Sequence, residues 1–170
     1  MATMTNYGAQ YQVKFDMYIE AWISEVSSVL HIGNTDQTRM PAVFLHPGTK
    51  QLQININNIN KHIQGNMELG RWYAIEISKT SSANNVKYLE LYRNSSYFLQ
   101  SVRYEVKIDG SLVKEWSLTE SPPADLPVNV YLSSPWRQPM NGSVRNLQIS
   151  NSPVPVEAGR STSFNYLIIQ

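Results

Sequence analysis

The sequence predicts an all-β fold, a two-sheet antiparallel β-sandwich, on three observations. Apolar and polar residues alternate with period two along much of the chain. Turn-forming pairs punctuate the alternating runs. No window of helical length carries an apolar stripe at period 3.6.

The first strand is the clearest. Tyr11, Val13, Phe15, Met17 and Ile19 alternate with Gln12, Lys14, Asp16, Tyr18 and Glu20, so one face meets a core and the other meets water. Shorter strands are expected over 24–32 and 40–46, with Pro47-Gly48 marking a turn after them. Leu52, Ile54 and Ile56 then alternate with Gln51, Gln53, Asn55 and Asn57. The segment 57–64 is the best candidate for a helical turn, although it is short and poor in helix formers. Strands follow over 71–78 and 86–93. Val102, Tyr104, Val106 and Ile108 next alternate with Arg103, Glu105, Lys107 and Asp109. Asp109-Gly110 is the strongest hairpin signal in the chain and leads into a strand over 112–118. Ser121-Pro122-Pro123 opens a loop, and strands over 127–133 and 143–150 complete the set. Asn141-Gly142 tolerates the positive φ of a tight turn into that last strand. Strict alternation there puts Arg145, Leu147 and Ile149 on one face, with Val144, Asn146 and Gln148 on the other.

Length and composition narrow the class. A chain of 170 residues forms one domain with a core that needs no staples. Hydrophobic content is 42% and charged content 16%, so Asn, Gln, Ser and Thr must cover much of the surface. The net charge is +1, and no cluster of Lys and Arg forms a stripe, which argues against a nucleic-acid partner. With 0 cysteines there is no disulfide framework, thiolate metal site or cysteine nucleophile. No stretch approaches a membrane span, so no membrane insertion is expected. The start, MATMTNYGAQ, has neither the basic nor the apolar region of a signal peptide. Two sequons, at Asn94 and Asn141, would be acceptors only on a secretory route. The expected organisation is a sandwich over residues 1–150 and a C-terminal extension over 151–170. That tail ends in the apolar run Phe164-Asn165-Tyr166-Leu167-Ile168-Ile169, which predicts an added edge strand or a contact within a homo-oligomer.

Three segments, in order, resemble the laminin-G-like, or concanavalin A-like, jelly-roll superfamily. They are "GRWYAIEIS" (70–78), "YEVKIDGSLVKEW" (104–116) and "NGSVRNLQI" (141–149), the last similar to the family's closing strand. With "SVLHIG" and "RMPAVFLHPGT" the resemblance spans roughly residues 10–150. It implies a jelly roll acting as a binding or adhesion module, typically extracellular and carbohydrate-recognising, sometimes with calcium.

Enzymatic readings find little support. Glucan hydrolases of this fold need two carboxylates on one strand, one with a raised pKa. The closest local pairs, Glu20 with Glu25 and Glu68 with Glu76, lack the i, i+2, i+4 spacing that aims two acids into one cleft. Glu90 and Glu105 read as isolated solvent-face residues, and the Arg, Gln-x-His and Tyr-Lys motifs of the lyase branch are not found. His31, His46 and His62 match no local zinc spacing, and Asp36 is the only carboxylate set among other oxygen donors, too few for calcium. No cofactor is expected.

Sugar recognition needs an aromatic face and planar polar groups that pair with hydroxyls. Two places supply them. One is the loop and its flanking strands with His31, Asn34, Asp36, Arg39 and His46; the other is the lip with Trp136, Arg137, Gln138 and Asn141. The order His31, Asn34, Arg39, Trp72, Glu76 loosely echoes galectins, with the wrong spacing. Trp72, at a strand start, reads as core; Trp22 and Trp116 read as burying against the opposite sheet; Trp136, the least periodic, reads as exposed. The expectation is therefore a non-enzymatic, lectin-like module whose partners are glycans or glycoproteins, weak per site and multivalent. The alternative is an adhesion domain that binds protein through a sheet edge and the tail.

Overall fold

The computed structural model describes residues 2–4, 10–56, 59–63, 67–90, 96–120, 127–150 and 166–169, and the side chains of all of these except 2, 82–90, 96–99 and 166–169. The predicted loop at Ser121-Pro122-Pro123, the sequon at Asn94 and the start of the tail at 152–165 lie outside the described residues. Within them there is no helix.

Among the described residues, twelve strands form two antiparallel sheets packed face to face, a β-sandwich. The strands are β1 (Ala2–Met4), β2 (Tyr11–Ala21), β3 (Ser27–Ile32), β4 (Ala42–His46), β5 (Gln51–Ile56), β6 (Ile59–Ile63), β7 (Trp72–Glu90), β8 (Ser96–Ile108), β9 (Ser111–Glu120), β10 (Val128–Tyr131), β11 (Asn141–Ser150) and β12 (Tyr166–Ile169). The first sheet runs β1-β10-β3-β4-β5-β6 and the second β12-β11-β2-β7-β8-β9.

Alternation sets which side chains meet between the layers. Val13, Phe15, Met17 and Ile19 of β2, with Ile75, Ile77, Tyr104 and Val106, pack against Leu30, Ile32, Val43, Leu45, Leu52 and Ile54. Each such aliphatic or aromatic side chain contributes about 1.5–3 kcal/mol when fully buried. Asp109 and Gly110 take φ of 51° and 78°, the doubly positive pair of a tight hairpin, and join β8 to β9.

Four readings of the sequence are corrected. Segment 59–63 is not a helical turn but the strand β6, paired with β5 from Ile56↔Ile59 to Leu52↔Ile63. Its alternation is obscured because Lys61 reaches across the sandwich to the Trp116 ring, 5.8 Å from its centroid. Asn141-Gly142 is not a turn but the start of β11, opposite Ala21 and Ile19. There glycine is needed for close approach, since a Cβ at Gly142 would lie 2.0 Å from the Tyr18 carbonyl oxygen. In β11 a bulge breaks the register between Arg145 and Gln148, with Asn146 at φ 55°, a conformation asparagine tolerates. The extra residue turns Arg145 outward while Leu147 and Ile149 stay in the core. Trp72, finally, is not core: it lies on the outer face of β7 beside Tyr18, with the Arg145 guanidinium 3.8 Å above its ring.

One end of the interior is polar. Lys79 of β7 forms an ion pair with Glu120 of β9, the two side chains 6% and 17% exposed. The Tyr104 hydroxyl donates to Glu120 at 3.0 Å, and Trp116 stacks on the Tyr104 ring at 5.2 Å. Burial pushes the Tyr104 hydroxyl pKa well above its ordinary value, and the Glu120 charge adds to it. The tail strand β12 pairs with β11, Leu147↔Ile169 to Ser150↔Tyr166, at the edge of the second sheet.

Candidate functional site

The site begins where β3 ends. At Gly33, φ is 155° and a Cβ would fall 1.7 Å from the Thr38 carbonyl oxygen, so the chain can fold tightly back on itself only with glycine there. Thr38 Oγ1 accepts from the Asn34 and Thr35 amides at 3.0 and 2.9 Å, closing loop 34–39. Asn34 pins the loop to β10: its Nδ2 donates to the Pro127 carbonyl at 2.7 Å and its Oδ1 accepts from the Asn129 amide at 3.1 Å.

A second segment, 132–140, returns to the same place from far along the chain. Ser28 anchors it, donating its amide to the Gln138 carbonyl at 2.7 Å and accepting from Met140 at 3.0 Å. The Ser28 hydroxyl also accepts from the Ser134 amide at 2.8 Å. Between these anchors the chain bulges over the outer face of the first sheet and seats Trp136 on His31 and Tyr131, with ring centroids 5.1 and 5.7 Å away. Trp136 remains 44% exposed while His31 beneath it is 0% exposed. Burial lowers the His31 pKa from its ordinary value, against the raising effect of the Thr35 and Thr38 carbonyls, and Nε2 lies 3.1 Å from the Thr35 carbonyl oxygen.

The charged groups of loop and lip meet over Phe44. The guanidiniums of Arg39 and Arg137 both sit 5.5 Å from its ring centroid. Asp36 lies between them, accepting from Arg39 at 3.0 Å and facing Arg137 at 3.8 Å. Beside this group an open depression of ≈ 400 Å³ is lined by Glu25, Val26, Pro135, Trp136, Arg137 and Gln138.

Two stretches about a hundred residues apart are therefore one cluster: His31, Asp36, Arg39, Trp136 and Arg137. Asn34 supports it from the β10 side and His31 from below, so neither presents its polar atoms in the depression. His46 and Asn141 lie elsewhere. His46 is at the far end of β4, with the His62 ring 5.0 Å away and Gln53 in contact. Asn141 is exposed on β11, in the other sheet. Sequence reasoning missed Phe44, Glu25 and the outward pair Gln53 and Asn55. Alternation alone predicts a solvated face for these amides, yet they are 8% and 2% exposed. The one signal for Phe44 was its place in a continuous apolar run, Ala42-Val43-Phe44-Leu45, which reports burial on both faces of a strand.

A second polar surface covers the outside of the other sheet. Asp16 accepts from Arg145 Nε at 3.2 Å and Asn146 Nδ2 at 2.8 Å, in the lining of a depression of ≈ 230 Å³ that also includes Lys14, Ala74 and Glu76. Glu76 there stands between Lys107 at 3.2 Å and Lys14 at 3.4 Å. Burial alone would raise its pKa, but the two ammonium groups outweigh it and hold the carboxyl below its ordinary value, a direction opposite to that of a general acid. Among the described residues, no three His, Asp or Glu side chains converge as a metal cluster.

No family model and no curated protein matches the chain.

Proposed function

We propose that this chain is a non-enzymatic carbohydrate-binding module, a lectin-like jelly roll of laminin-G-like type, whose glycan seat is the lip at Trp136. The observation that carries the reading is the half-exposed indole seated on His31 and Tyr131 beside a guanidinium–carboxylate chain. A sugar ring lays its C–H face on Trp136, while Arg137, Gln138 and Glu25 take its hydroxyls. The anchoring of segment 132–140 on Ser28 pre-organises the indole, which lowers the ordering cost of binding.

The depression is open, so most hydroxyls of a bound sugar keep their water and affinity per site is low. Avidity comes from several sites together, in a homo-oligomer or on a glycan with repeated epitopes, as suits glycoproteins outside the cell. The test is a glycan array probed with wild type and Trp136→Ala, each with and without chelator. Signal for a defined sugar class that disappears in the variant supports the reading. A blank array over a broad panel, or signal that the variant retains, overturns it.

A further inference from the structure

We propose that His46 and His62, with the carboxamide oxygen of Gln53, form a binding site for one divalent transition-metal ion of the zinc or copper class. The three side chains come from three adjacent strands, β4, β5 and β6, and project from the same outer face of the first sheet. Register places them: Gln53 is directly opposite His62 across β5–β6, and His46 lies one pleat along from Phe44, the β4 partner of Gln53. The imidazoles converge over β5 with centroids 5.0 Å apart and planes at 63°. Nε2 of His46 is in contact with Gln53 Oε1.

That geometry suits a shared cation. Two imidazole nitrogens each about 2.0–2.1 Å from a metal stand roughly 3–3.5 Å apart, which rings already at this separation reach by side-chain rotation alone. The Gln53 amide is oriented from behind, because its Nε2 donates to Asn55 Oδ1 at 2.5 Å and so leaves Oε1 turned toward the imidazoles. Asn55 is 2% exposed and cannot swing away, a supporting contact of the kind that fixes metal ligands. Access is open, since His62 is exposed and His46 half-buried. A bound ion takes His46 in the tautomer with its proton on Nδ1, so that the Nε2 lone pair and Gln53 Oε1 both turn to the ion.

The donor set decides the class of ion. Two neutral imidazoles and one amide oxygen carry no negative charge, so hard cations such as calcium and magnesium, which need several carboxylates, gain little. Imidazole suits zinc, copper and nickel, with copper(II) strongest in the usual order.

The test uses the full chain, free of any histidine tag and stripped with chelator, titrated calorimetrically with Zn²⁺, Cu²⁺ and Ca²⁺. The third histidine is sealed beneath Trp136, so stoichiometry reports on the pair. One equivalent of Zn²⁺ and of Cu²⁺, with none of Ca²⁺, is expected. His62→Ala and His46→Ala should each weaken binding by about tenfold or more, a change of about 1.4 kcal/mol. Because His62 is exposed, its variant keeps the wild-type melting transition in the absence of metal, and Gln53→Glu should tighten binding by adding charge. Absence of Zn²⁺ and Cu²⁺ binding at millimolar concentration, or affinity unchanged in both histidine variants, overturns the proposal. The glycan seat at Trp136 shares no side chain with this site and plays no part in it.

Discussion

Glu120→Leu probes the polar end of the sandwich interior. The substitution takes from Lys79, whose side chain is 6% exposed, its ion partner, and from the Tyr104 hydroxyl its acceptor. Removing one partner of a buried pair costs about 3–5 kcal/mol, because the remaining charge stays desolvated. Glu120 itself keeps 17% exposure, so the lower figure applies, about 3 kcal/mol. At about 2–4 °C per kcal/mol for a chain of this size, the thermal midpoint falls by roughly 6–12 °C. The assay is thermal unfolding at pH 7 followed by circular dichroism. A companion variant, Lys79→Met with Glu120→Leu, replaces the pair by apolar volume and should recover most of the loss. The polar end and the Trp136 lip share no side chain, so the proposed glycan binding should be unaltered in the folded variant. A midpoint within about 2 °C of wild type for Glu120→Leu, or a double variant as unstable as the single, would refute the buried-pair reasoning.

Three further outcomes follow from the geometry. The folded-state pKa of His31 is depressed, so the unfolded chain binds the extra proton first as pH falls. Stability should therefore hold above pH about 6.5 and decline below it until the folded-state pKa is passed, and denaturant titrations of His31→Phe should show a flatter acid limb. Gly142→Ala forces a methyl to within 2.0 Å of the Tyr18 carbonyl and must part β11 from β2, costing about 1–3 kcal/mol, read as a lowered urea midpoint. Trp136→Ala uncovers His31 but gives up only the buried half of one indole, about 1–2 kcal/mol after allowance for residual burial in the unfolded chain. Its melting transition should fall by only a few degrees; a loss above about 4 kcal/mol would make Trp136 a core residue instead.

What was legible in the sequence was local and periodic. The ten-residue alternation from Tyr11 to Glu20 and the Asp109-Gly110 pair reappear as β2 and the β8–β9 hairpin because the pleat and the turn each impose their own chemistry on neighbouring residues. A single left-handed residue was not legible: Asn146 shifts the phase of β11 and carries Arg145 from the expected core face to the Trp72 ring. Lys61 hid β6 in the same way, since its long side chain reaches the Trp116 ring from a position where alternation calls for an apolar residue. The residue types of the site were recognisable, but their union was not. Asp36 and Arg137 meet only because Ser28 holds segment 132–140 across the sheet, a contact between residues 106 apart that no spacing encodes.

The claim on which the functional reading rests is that glycan sits on Trp136. Amide and indole chemical shifts of the isotope-labelled chain, followed by nuclear magnetic resonance during titration with the strongest sugar from the array, test it directly. The expected result is saturable movement of the Trp136 indole Nε1–H and of the Arg137 and Gln138 amides, with the opposite sheet unmoved. Shifts centred instead on Asp16, Trp72 and Asn146, or none at saturating sugar, would contradict it.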